Sequence, residues 1–133
     1  HTNIFFQMLC YRYMTEYDLD AHIAEIRALY GRKCALMLDC LGTCLPAEVE
    51  FTHPEGGLFV WCTLPRGMDS ADFAKVLVGR KVAVVPGATF LSDPSGISPS
   101  FRLNYSTPSD EDIVRGVEIL GDCAREYIDM HRA

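Results

Sequence analysis

The sequence predicts an α+β fold, a small mixed or mostly antiparallel sheet with helices packed on one side. Three observations carry that expectation. Apolar residues recur at steps of three and four near the start of the chain and again at its end. Short runs rich in Val, Phe, Trp and Tyr lie between, bounded by Pro and Gly. The resulting order is helix, helix, strand, strand, helix, strand, strand, helix, without an internal repeat. At 133 residues the chain suits one domain. A domain of this size buries roughly two-thirds of its unfolded surface and needs no metal or disulfide to fold.

The first segment, residues 2–17, is apolar and aromatic (Ile4, Phe5, Phe6, Met8, Leu9, Tyr11, Tyr13, Met14) and lacks a solvated face. Such a helix packs on both sides, either inside this domain or against another. Over residues 18–45, Leu19, Ile23, Ile26, Tyr30, Cys34, Met37, Leu38, Leu41 and Leu45 form one amphipathic stripe, with Gly42 and Pro46 as the stop. Residues 49–52 and 58–64 flank the turn material His53-Pro54-Glu55-Gly56-Gly57 and read as a strand pair. A short helix follows with Ser70 as N-cap, ending about Gly79. Residues 81–85 read as a buried strand closed by Pro86-Gly87, and residues 91–99 as a mobile loop. Residues 100–106 alternate as a strand does. The last helix is expected to open with Thr107 as N-cap, Pro108 in its first turn and Asp110 three residues on. Its apolar stripe is Ile113, Val117, Leu120, Ala124 and Ile128.

Composition removes several function classes. A net charge of −6 argues against a nucleic-acid surface, which needs clustered Lys and Arg. No apolar run is long enough to span a membrane, and no secretion signal opens the chain. The start, His1-Thr2-Asn3, has no initiator Met, which reads as a fragment or a processed terminus. Cysteines 10, 34, 40, 44, 62 and 123 include no Cys-x-x-Cys, and the four histidines form no ligand pair. Reduced structural cysteines in a cytoplasmic protein, with no metal site, are therefore expected. Phosphate-loop, dinucleotide and hydrolase-elbow motifs are absent. Asp110, Glu111 and Asp112 open a helix, where they complement its dipole.

Arg102 is the exception. On its strand Phe101, Leu103 and Tyr105 point one way, and Arg102, Asn104 and Ser106 the other, which makes a polar face on an otherwise hydrophobic sheet. A guanidinium there stays charged and offers a planar fork of donors suited to a carboxylate. The pattern is compatible with a salt bridge or with a ligand's carboxylate, to which Asn104 would add a hydrogen bond.

Four motifs then resemble a known family in order and spacing. Gly56-Gly57-Leu58-Phe59-Val60-Trp61 followed by Leu64-Pro65, the stretch Val82 to Phe90 with its Pro86-Gly87, Phe101-Arg102-Leu103-Asn104-Tyr105-Ser106, and the helical Ile26-Arg27-Ala28-Leu29-Tyr30-Gly31-Arg32-Lys33 all resemble segments of fold-type-I aminotransferases. The likeness runs from Asp18 to the end and is nearest the 2-aminoadipate and kynurenine aminotransferase branch. It implies that residues 18–133 are the C-terminal small domain, and residues 1–17 the end of the large domain or of the interdomain helix. It further implies that Arg102 binds the substrate α-carboxylate, with Asn104 a weaker contributor. The Pro86-Gly87 turn and the loop after Phe90 would border the active-site entrance.

By the same resemblance the parent is a homodimeric, pyridoxal-phosphate-dependent transaminase that moves an amino group between an amino acid and a 2-oxo acid. Its cofactor binds a lysine and pairs with an aspartate of the large domain. Lys33, Lys75 and Lys81, the three lysines here, match neither motif nor context, so no catalytic or cofactor-binding residue is expected in this chain. Alone it would be inactive, and its share of the parent's catalysis is to hold and orient the substrate. Two other readings stand beside this one. The domain could serve as the sensor module of a winged-helix transcriptional regulator, or it could be a free-standing α+β binding module.

Overall fold

The computed structural model describes residues 3–93 and 95–132. His1 and Thr2 of the first apolar segment, Pro94 of the loop, and Ala133 at the end of the expected small domain lie outside them.

Asn3 accepts the Phe5 amide and starts α1 (Ile4–Glu16). Every residue of α1 is exposed, so it is not a buried helix of this domain. Extended backbone at Tyr17 breaks the helix, and Asp18 caps α2 (Leu19–Cys44) by accepting the Ala21 amide at 2.9 Å. The α2 helix runs through Gly42 and stops only before Pro46, whose ring cannot continue it. The helix is buried only in its second half, at Met37 and Leu41 of the stripe and at Lys33 beside them, while Ile23 of the stripe and Leu29 remain exposed.

The expected strand pair forms as β1 (Glu50–Phe51) and β2 (Phe59–Thr63), antiparallel. Gly57, at φ +87°, makes the turn before β2. The next helix, α3 (Ser70–Gly79), is capped by Asp69 and not by Ser70; the Asp69 carboxylate accepts the Ala71 amide at 2.9 Å. At the other end Lys81 adopts φ +64°. Lys81 N–H then reaches Val78 O and Val82 N–H reaches Leu77 O, a Schellman closure built on a lysine. That closure uses residues expected to begin a strand, so β3 shrinks to Val85–Pro86. A 3-10 turn, Gly87–Phe90, follows.

The sheet ends with β4 (Ser100–Asn104), central between β2 and β3 in the order β1-β2-β4-β3. Every pairing is antiparallel, so the mixed alternative does not occur among the described residues. The final helix, α4 (Asp110–Arg132), is capped by Ser109, not Thr107. Ser109 Oγ accepts the Asp112 amide at 3.1 Å and donates to the Asp112 carboxylate at 3.0 Å, an N-cap displaced two residues from the expected one.

The second half of α2, with α3 and α4, covers one face of the sheet. Val60, Cys62, Phe101, Leu103 and Tyr105 point into a core shared with Leu41 of α2, Phe73 and Leu77 of α3, and Ile113, Val117, Leu120 and Ile128 of α4. The Phe73 ring lies 5.5 Å from Phe101 and 5.2 Å from Tyr127. Full burial of each large apolar side chain contributes about 1.5–3 kcal/mol. Lys33, the one buried lysine among the described residues, donates to the Pro108 carbonyl, and Arg32 pairs with Asp110, so α2 grips the start of α4. The opposite face of the sheet is left open.

Candidate substrate-binding face

Strand alternation puts Arg102 and Asn104 of β4 on that open face. Cross-strand pairing brings Trp61 beside Arg102 and Phe59 beside Asn104, and Val85 of β3 flanks Arg102 on its other side. Phe90 closes the group from the 3-10 turn, its ring 5.5 Å from Trp61 at 65°. The Arg102 guanidinium carbon stands 3.9 Å from the Phe59 centroid and 5.0 Å from the Phe90 centroid. Arg102 is half-buried, and among the described residues no carboxylate forms an ion pair with it. Arg27 and Arg66 also lack ion-pair partners, but both are exposed to water.

Two anchors hold the rings. The Tyr105 hydroxyl donates to Gly57 O at 2.7 Å and its amide donates to Leu58 O, which fixes the chain just before Phe59. Burial, with a smaller contribution from Cys34, raises the Tyr105 pKa, so the phenol keeps the proton it donates. The Pro86-Gly87 turn is held to α3 by the Gly87 amide donating to Ser70 Oγ at 3.3 Å. A Cβ on Gly87 would stand 2.5 Å from Ser100 O, so only glycine allows this approach. Ser70, misread from the sequence as a cap, is instead this fully buried tether.

Asn104 faces the same side but is exposed. Its Oδ1 accepts from the Ser106 amide and hydroxyl, both at 2.7 Å, closing the strand end on itself. Phe59, Trp61 and Phe90 were legible as motif residues but were not singled out as site residues. The available signal was that Phe59 and Trp61 share one parity on a strand next to Arg102. A separate cleft of about 680 Å³ runs between residues 80–83 and α4. It is lined by Lys81, Asn104 and Arg115 among others, and includes neither Arg102 nor the rings around it.

The residues present do not fit a pyridoxal phosphate site. Lys33 is held by the Pro108 carbonyl, Lys75 pairs with Asp72 at 2.7 Å on α3, and Lys81 closes a helix away from Arg102. Among the described residues no cluster of three or more His, Cys, Asp or Glu side chains could hold a metal. No helix of the described residues is long and apolar enough to cross a membrane.

The fold and this face define an α+β domain with an unneutralised cation on its open sheet. The aminotransferase class I and II family profile matches residues 13–120, and the chain belongs to that family. It is 35% identical over 125 residues to aromatic-amino-acid aminotransferase 1 of Thermococcus litoralis, covering 94% of this chain and 30% of that protein. With the 2-aminoadipate transaminase of Thermus thermophilus it shares 35% identity over 121 residues, 91% of this chain and 30% of that one. The solved multiple substrate aminotransferase of Thermococcus profundus superposes with a TM-score of 0.89 at 36% identity, covering 99% of this chain and 32% of that one. The Pyrococcus horikoshii kynurenine aminotransferase, solved in complex with PMP, gives 0.87 at 35%, covering 95% and 31%. Two uncharacterized HTH-type transcriptional regulators of Escherichia coli also align, at 28% and 27% identity. The chain thus spans about 30% of the length of the curated aminotransferases it matches.

Proposed function

We propose that residues 18–133 are the substrate-gripping small domain of a pyridoxal-phosphate-dependent transaminase and that Arg102 binds the α-carboxylate of the amino acid or 2-oxo acid. The observation that carries this reading is the half-buried Arg102 guanidinium, without a carboxylate partner among the described residues, on the sheet face opposite the helix-packed core. A charged fork in that setting gains most from a planar anion held by two hydrogen bonds. Asn104 adds a weaker contact, since its Oδ1 is engaged by Ser106. The cofactor and its lysine belong to the large domain of the parent, a cytoplasmic homodimer, and α1 with Tyr17 belongs to the boundary with that domain. Alone, this chain binds an acid and does no chemistry.

The test is Arg102→Ala in the full-length parent. Removing one charged hydrogen-bonding group that acts in the transition state costs on the order of 3 kcal/mol, about a hundredfold in kcat/KM. Near-normal turnover in a folded variant would sink the assignment. The regulator relatives favour a second reading, in which the same face senses an amino acid for a DNA-binding domain. A basic winged helix encoded upstream, with binding but no turnover, would select it.

A further inference from the structure

We infer that Phe59 and Phe90 are positioning residues for Arg102. Their ring faces hold the guanidinium in place of a protein carboxylate, so its charge and donors stay available to the ligand. This rests on the carboxylate-binding reading of Arg102 and deepens it. Both centroids, at 3.9 and 5.0 Å from the guanidinium carbon, lie within cation–π range. Phe59 reaches it as a diagonal cross-strand neighbour, because Phe59 pairs with Asn104, two residues beyond Arg102. Phe90 reaches it from the 3-10 turn, braced by Trp61 and by the Ser70–Gly87 tether. The two rings therefore arrive from separately anchored elements.

The chemistry separates this arrangement from a salt bridge. A carboxylate would restrain the guanidinium but would neutralise it and occupy its N–H fork. A ring face attracts the cation through its quadrupole and leaves the fork free. Neither ring has a core role, since Phe59 is 38% and Phe90 50% exposed while Phe73 and Phe101 are fully buried. Exposed aromatics on a sheet face gain little by burial, and the cation between them gives them a function.

The test uses this chain, isotopically labelled, with 2-oxoglutarate as the carboxylate probe and the Arg102 Nε–Hε NMR signal as the readout. In the wild type that signal is displaced by ring currents and moves on titration, and its disappearance in Arg102→Lys assigns it. Phe59→Leu and Phe90→Leu are expected to return the signal toward its free value and to weaken probe binding threefold to tenfold each. Phe59→Tyr and Phe90→Tyr keep a ring face and are expected to keep both readouts near the wild type. Unchanged probe affinity in both Leu variants overturns the positioning role and leaves Arg102 as a carboxylate site. A wild-type signal displaced by the rings but unmoved by 2-oxoglutarate overturns the carboxylate reading itself, and the purpose assigned to the rings falls with it.

Discussion

Arg102 and Cys62 sit on paired strands with opposite fates, one facing the open side and the other sealed against the helices. Burial pushes the Cys62 thiol from its ordinary 9.0 up to about 12. The folded state then holds the proton more tightly than the unfolded chain does. Stability from that protonated thiol is complete below about pH 9 and is lost as pH rises toward 12. Between pH 8 and 11 the loss is about 3 kcal/mol, read as a falling urea midpoint. Cys62→Ala should lower stability at pH 8 and flatten the alkaline slope; a slope unchanged by the substitution would contradict this origin. Tyr105, Tyr127, Cys123 and Cys40 are raised in the same direction, each chiefly by burial, and add to the slope that remains. The parity of Arg102 was legible because strand alternation is local, and its ring partners were not, because cross-strand register is a long-range property.

At the scale of elements, α4 carries two glycines that should respond to substitution with opposite sign. Gly116 faces open space, so Gly116→Ala should stabilise by up to about 1 kcal/mol through helix propensity. Gly121 lies where α4 crosses the end of α2, and a Cβ there would stand 2.3 Å from Cys44 O. Gly121→Ala should therefore destabilise by about 1–3 kcal/mol despite the same propensity gain. It would also strain the contact in which Arg125 donates to that carbonyl at 2.7 Å. Thermal unfolding of the pair decides, and equal shifts would refute the close crossing. The cap of α4 gives a second test: Ser109→Ala should cost about 1 kcal/mol and Thr107→Ala little. The helices were legible from their periodicity. The caps and the length of β3 were not, because the deciding hydrogen bonds compete within two residues of one another.

For the whole molecule, the uncovered apolar length of α1 and the first half of α2 is the dominant surface feature. Ile4, Phe5, Phe6, Met8, Leu9, Tyr11 and Met14 are all more than half exposed. Exposed apolar area of that extent should bind an anilinonaphthalene dye strongly, and removal of residues 1–17 should abolish most of the fluorescence. Strong dye binding that survives the deletion would put the hydrophobic surface elsewhere. Titration with pyridoxal phosphate should leave the absorbance near the visible edge flat, since Lys33 and Lys75 are engaged and Lys81 lines a cleft that does not include Arg102. A saturable, stoichiometric band at one lysine would refute the division of labour proposed for this domain.

The sequence by itself determined the α+β class, the order of the elements, the family resemblance and the face on which Arg102 lies. Each of these rests on short-range periodicity or on motif spacing along the chain. Only the tertiary structure decided that β4 is central, that Ser70 tethers the Gly87 turn, that β3 yields to a Schellman closure at Lys81, and that two rings flank the guanidinium. It also decided that α1 meets none of the core. These outcomes depend on which distant segments win the same hydrogen-bonding groups and the same apolar surface, a competition that residues close in sequence do not reveal.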